Sequence, residues 1–251
     1  MDKRFEILLS MAMKLVTPNA EVMVTCDARK QYPRQDFRWY ERIQKEFEAE
    51  GARLLGDGHM VSPSGQSSSD EQRTFVRCMV NGREDTAITL FRTHPRLWTR
   101  LCLRFLNKAP STLRSVALQT FFADETSVLT MNLASMSMLE SPRNEDRHYL
   151  SPDISMKEMI AAHERHVTAW QAQRTSCPTK RFRTMDEFIE IDGDATNTTK
   201  RVRKSYGGLT KGDIMRFVKC GESEAAVIQK DLIEALADDK KEDEGAREFA
   251  V

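Results

Sequence analysis

Asn81-Gly82 stands between two β-prone runs, RTFVRCMV and REDTAITLF, and no other feature restricts the fold of this chain as much. An Asn-Gly pair takes the left-handed backbone angles that join twisted antiparallel strands at little steric cost. A second hairpin follows in TLRSVALQTFF-ADET-SVLTMN, with its turn at Ala123 to Thr126. Hairpins imply antiparallel pairing. The expected fold class is therefore α+β: an antiparallel sheet built from hairpins with packed helices, plus a C-terminal helical pair. Apolar alternation in these strands is imperfect, which points to one covered face and one partly wet face.

The helices announce themselves by spacing and caps. Phe5, Leu8, Leu9, Ala12, Leu15 and Val16 share one face of an N-terminal amphipathic helix. Its basic start resembles a signal peptide, but Glu6 precedes the apolar run, Lys14 ends it, and no small-residue cleavage site follows. EVMVTC and ARLLGDG read as short strands. Between them Phe37, Tyr40, Ile43 and Phe47 recur at helical spacing, and Gly51 stands where a left-handed residue ends a helix. Ser155 and Glu158 have the spacing of a capping box, with Ile154 and Met159 placed for a hydrophobic staple. Thr210 and Asp213 repeat the capping pattern ahead of two C-terminal helices. The polar stretch from Ser62 to Gln72 reads as a mobile loop. In residues 95–107 the pairs Leu97/Trp98, Leu101/Cys102 and Phe105/Leu106 recur every four residues, which favours a helix, while the odd positions from Leu97 to Phe105 would also make one face of a strand. The resulting organisation is an α+β domain over 1–175, a charged linker over 176–208, a helical hairpin over 209–237 and a disordered acidic tail over 238–251.

Composition excludes some functions. Lys plus Arg and Asp plus Glu both number 38, so the chain lacks the basic excess of a typical nucleic-acid binder. No apolar run approaches the roughly 20 residues of a membrane helix. The five cysteines are odd in number, scattered, and contain no CxxC pair. That favours reduced thiols in the cytoplasm over a disulfide framework or zinc ribbon. There is no G-x-S-x-G, phosphate loop or G-x-G-x-x-G.

The candidate sites each have a plainer competitor. In IAAHERHVTAW, His163 and His166 lie three residues apart, and His148 precedes them by a short loop. The three could ligate a metal, although zinc helices favour spacing of four. On a helical wheel centred on Ile160, His163 falls among Met156, Val167 and Trp170, with His166 at the border. The simpler expectation is a buried, neutral His163 bonded through one nitrogen to a sheet carbonyl. Arg96, Arg100, Arg104 and Lys108 form a basic stripe, if helical, that could follow a phosphate backbone beside Trp98. A solvated helix face explains it as well. FIEIDGDATN resembles the first motif of the haloacid-dehalogenase-like phosphotransferases, with Asp192 and Asp194 as nucleophile and acid/base. Glu190 interrupts the required strand, and the rest of the chain cannot build the parallel sheet, so a solvated acidic turn is expected. KRFR and KRVRK flank this acidic segment and can pair with it. The terminal helix pair invites a helix-turn-helix reading, but its second helix is acidic and apolar, which suits docking against protein.

EAEGARLLGDG, VNGREDTAITLF, LQTFFADETSVLTMN and SMKEMIAAHERHV, taken together, resemble a group of bacterial proteins of unknown function over roughly Phe37 to Gln173. That resemblance implies an α+β domain and supplies no activity. The functional expectation is a non-enzymatic cytoplasmic binding or protein-interaction module without a cofactor. It would hold a protein partner or a small apolar ligand between sheet and helices. A nucleic-acid binder and a metal-dependent hydrolase are the rivals.

Overall fold

The computed structural model describes residues 3–16, 22–33, 35–61, 75–93, 113–133, 140–174 and 177–248. They fall into two compact units, one made of Ala20–Ser135 with Glu145–Ala195, the other of Met1–Asn19, Met136–Asn144 and Thr196–Val251. The fold is α+β, as expected. The stripe Arg96, Arg100, Arg104 and Lys108, the loop from Ser62 to Gln72 and the ambiguous segment 95–107 lie outside the described residues.

The first unit is built on a sheet of β1 (Val22–Thr25), β2 (Arg53–Val61), β3 (Phe75–Val80), β4 (Thr86–Thr93), β5 (Leu113–Phe121), β6 (Ser127–Met131) and β7 (Glu145–Tyr149), in sequence order across the sheet. Pairing is antiparallel except at β6–β7, which is parallel. Both hairpins form, but the first turn differs from the simple Asn-Gly corner. Its left-handed residue is Glu84, with φ of 63°. Asn81 instead anchors the loop, its side-chain oxygen accepting from the amides of Asp85 and Thr86 at 3.0 and 3.2 Å.

Both sheet faces are covered. One carries α2 (Ala28–Gln31), α3 (Phe37–Ala49) and α4 (Met156–Ala172), over a core that includes Tyr40, Phe47, Phe75, Met79, Leu90, Leu118 and Met159. Gly51 ends α3 with φ of +86°, as its position implied. Beneath α3, the guanidinium of buried Arg77 grips both oxygens of Asp57 at 2.8 and 2.9 Å and lies against the Tyr40 ring. The opposite face is covered by the start of α5 (Met185–Lys204), where Met185 and Phe188 pack on Cys78, Val80, Ala87 and Phe121. Gly58 permits this approach, since a Cβ there would meet Met185 Cε at 2.8 Å.

Helix α5 corrects three expectations. Segment 176–208 is not a linker, FIEIDGDATN is neither strand nor turn, and the second sheet face is not left wet. The cause is local. Thr184 and Glu187 form a capping box, the Thr184 hydroxyl accepting from the Glu187 amide and the Glu187 carboxylate accepting from the Thr184 amide. Apolar residues at Met185, Phe188, Ile189 and Ala195 then supply an inward stripe. The basic clusters do not simply pair with this acidic run. Arg183 bonds Glu84 of the first hairpin, and buried Arg203 donates to the carbonyls of Gly208 and Glu140.

The second unit joins α1 (Lys3–Val16), α6 (Lys211–Val218) and α7 (Glu222–Glu248) around Leu8, Ala12, Leu209, Ile214, Ala225, Leu232 and Leu236. Two expectations change here. The N-terminal helix belongs with the C-terminal helices rather than with a 1–175 domain, and α7 runs through most of the segment expected as a disordered tail. Thr210 and Asp213 form the capping box at α6. Asp213, with no exposed surface, also accepts from Arg216 and from the Glu140 amide. The apolar face of α7 that suggested a docking surface is filled by α1 of the same chain. Among the described residues, no helix is long and apolar enough to cross a membrane.

Candidate functional site

Three adjacent strands each put one threonine where the alternation calls for an apolar residue. Thr86 is in phase with Ile88 and Leu90, Thr120 with Val116 and Leu118, and Thr130 with Val128. All five apolar residues are buried on the face under α4. The register sets Thr86 opposite Thr120 and puts Thr130 beside Leu118. A buried hydroxyl without a partner costs about 1–3 kcal/mol, so this row requires a polar group above it.

His163 supplies it. The Ser155–Glu158 capping box forms in full and fixes the start of α4. Met156, Met159, Ala162 and His163 face the sheet, while Ile160, Val167 and Trp170 are only half-buried. The buried stripe is thus rotated from the Ile160-centred wheel, so that the imidazole sits over the threonines. His163 is 2% exposed. Its Nε2 lies 2.9 Å from Thr120 Oγ1 and its Nδ1 2.9 Å from Thr130 Oγ1. Both nitrogens are engaged, by hydroxyls, where one bond to a carbonyl was expected. Burial, reinforced by His166, His148 and Arg83, pushes its pKa down to about 3, so the ring is neutral across the physiological range.

The bonds continue in both directions as one file. Thr120 Oγ1 meets Thr86 Oγ1 at 2.8 Å, and Thr86 Oγ1 can donate to Asp85 Oδ1 at 3.3 Å. Thr130 Oγ1 meets His166 Nδ1 at 3.2 Å. The His166 ring stacks on His148 with centroids 3.5 Å apart, and His148 Nε2 lies 2.8 Å from Asp146 Oδ2. Burial and the neighbouring His148 hold His166 below the usual histidine pKa. The structure therefore brings His148, His163 and His166 together, around Thr130. Their nitrogens are turned to threonines and to Asp146, and among the described residues no group of three or more His, Cys, Asp or Glu side chains is placed to hold a metal ion.

A pocket of about 260 Å³ opens beside this file. Ile88, Leu118, Ile160 and Phe47 form apolar wall, while Thr86 and His163 bring the polar row to its surface. Glu50, Arg83 and Glu164 also line it, and Arg83 bonds Glu164 at 3.1 Å with both side chains more than half exposed. Such an exposed pair contributes about 0.2–1 kcal/mol, so it yields easily. The pocket lies just below the range of about 300–1,000 Å³ usual for small-molecule sites.

On the other sheet face, Asp192 lies half-buried on α5. Burial and the charge of Glu145 raise its carboxyl pKa to about 6. Glu145 is held by a two-pronged bond to Arg147 at 2.7 and 2.9 Å.

Sequence reasoning found the histidines and missed Thr86, Thr120, Thr130 and Arg83. The available signal was a threonine in the buried phase of three strands. No protein-family description, curated protein or solved structure matches this chain.

Proposed function

We propose that the chain is a non-enzymatic binding module that takes one compact, largely apolar small molecule between the sheet and helices α3 and α4. The carrying observation is the pocket walled by Ile88, Leu118 and Ile160, with a polar row along one side. The state of that row favours recognition over catalysis. A general base needs a free lone pair, and a general acid a free proton, within reach of substrate. His163 has neither, because both nitrogens are bonded to threonines and the ring stays neutral. Free thiols at Cys26, Cys78, Cys177 and Cys220 support a reducing, cytoplasmic setting.

The test is a small-molecule screen by thermal shift on the full chain, followed by Ile160→Trp. Ile160 is half-buried on the pocket wall, so an indole there fills the cavity without entering the core. Hits that stabilise the wild type should lose their effect in the variant. Hits that stabilise both proteins equally would place binding elsewhere and sink the reading.

A further inference from the structure

The file of hydroxyls and imidazoles determines which hydrogen bond the pocket can offer. A threonine hydroxyl has one proton to give and lone pairs to accept with. Thr86 stands at the pocket end of the file, 5% exposed, between Thr120 and Asp85. Two orderings are possible. In the first, His166 donates to Thr130, Thr130 to His163 Nδ1, His163 Nε2 to Thr120, Thr120 to Thr86, and Thr86 to the Asp85 carboxylate. In the second the donors from His166 to Thr86 are reversed, Thr86 gives its proton to Thr120, and the Asp85 carboxylate takes no proton from the file. The Thr86 proton is committed inside the protein in both cases. What Thr86 presents to the pocket is a lone pair.

His163 cannot change this, because both its nitrogens are occupied. The side-chain oxygen of Asn81 accepts from two backbone amides, and its nitrogen donates to Asp85 at 2.8 Å. The charges point the same way. Glu50 and Glu164 are anionic, and the one cation among the described lining residues, Arg83, is matched by Glu164 at 3.1 Å and lies 3.9 Å from Asp85. A carboxylate ligand would meet an acceptor inside and, around it, two carboxylates against one guanidinium.

Building on the pocket reading, we infer that the ligand is a small amine, its apolar body against Ile88, Leu118 and Ile160 and its ammonium group donating to Thr86. Glu50 and Glu164 supply the opposing charge.

Three probes with one carbon skeleton test this on the full chain: isoamylamine, isoamyl alcohol and isovalerate. Binding is followed through the methyl NMR signals of Ile88, Leu118 and Ile160. The amine should bind about tenfold more tightly than the alcohol, the equivalent of making its hydrogen bond charge-assisted. Isovalerate should bind most weakly. Thr86→Val should remove most of the amine's advantage. Glu50→Gln with Glu164→Gln should weaken the amine and leave the alcohol unchanged, and both positions are on the surface, where folding is not at stake. Isovalerate binding as tightly as the amine would overturn the assignment, as would an amine affinity untouched by Thr86→Val. If the alcohol binds and the amine gains nothing over it, the amine assignment falls and the pocket reading stands. If none of the three moves the methyl signals at millimolar concentration, both fall.

Discussion

Replacing His163 by alanine should cost stability at neutral pH and cost almost nothing in mild acid. At pH 7 the variant loses two buried hydrogen bonds, to Thr120 and Thr130, worth about 1 kcal/mol each. It also loses the packing of a ring that is 2% exposed, and the cavity left behind adds about 1–2 kcal/mol. Thr120 keeps Thr86 as a partner and Thr130 keeps His166, so neither hydroxyl is orphaned. The total is roughly 3–4 kcal/mol. Acid changes the comparison only for the wild type. The folded pKa is about 3 against an ordinary 6.5, so below pH 6.5 the unfolded chain takes up a proton that the folded chain refuses. The stability held above pH 6.5 therefore drains at about 1.4 kcal/mol per pH unit as pH falls toward the folded value. The variant carries no such group. The two proteins should become equally stable roughly 2–3 units below pH 6.5, near pH 3.5–4.5. Parallel urea titrations between pH 7 and pH 4, read by tryptophan fluorescence, measure this, since Trp39 and Trp170 both belong to the sheet unit. A gap that stays constant or widens on acidification would show that His163 is not a neutral buried link, and the hydroxyl file argument would fail with it.

Asp192→Asn should stabilise the protein at pH 7 by about 1–3 kcal/mol, an upper bound of about two pKa units reduced for partial exposure. The gain should vanish at pH 4: the folded pKa of about 6 exceeds the ordinary 3.8, so wild-type stability falls only as pH rises through that interval. A pH-independent difference in urea midpoint would count against it. Arg77→Ala should cost about 3–5 kcal/mol, because it strands the Asp57 carboxylate in a largely buried position, and Arg77→Met with Asp57→Leu should cost less than the single change. A double variant worse than the single one would refute that account. Thr184→Ala should lower stability by about 1 kcal/mol through loss of the α5 cap; an unchanged melting temperature would show that packing of Met185 and Phe188 alone starts the helix.

Hairpins and caps were readable because they are local. Asn81, the Ser155–Glu158 box, the Thr210–Asp213 box and Gly51 act within a few residues of themselves, and the structure places each in the element it implied. Helix α5 was misread although the same rule, Thr184 to Glu187, marks its start. Its dense charge masks the spacing of Met185 and Phe188 in the sequence. The partly wet face expected from imperfect alternation is covered by that same helix. Cys78, Val80 and Phe121 alternate poorly with their neighbours because α5 covers the face they point to. Strand β7, EDRHY, shows no apolar pattern at all. Of its residues, Asp146 and His148 face the polar row, and Glu145 is tied to Arg147.

The hydroxyl file shows why a site can be hidden in a sequence whose parts are plain to see. A threonine in the buried phase of one strand is common, and its hydroxyl finds a partner in many ways. Thr86, Thr120 and Thr130 become a row only through register, which sets Thr86 against Thr120 and Leu118 against Thr130. A slip of one residue in either pairing would turn one of them to the other face. The constraint also runs in reverse. Once three hydroxyls share one buried patch, the helix above must present a group that both donates and accepts. Of the four α4 residues buried there, Met156, Met159, Ala162 and His163, only the imidazole does so. A neutral imidazole has one nitrogen of each kind, so it joins two hydroxyls and leaves neither end unpaired. The histidine that looked most like a metal ligand in the sequence is thereby explained by the sheet beneath it. The file ends at the pocket on Thr86, whose hydroxyl takes its role from residues several bonds away.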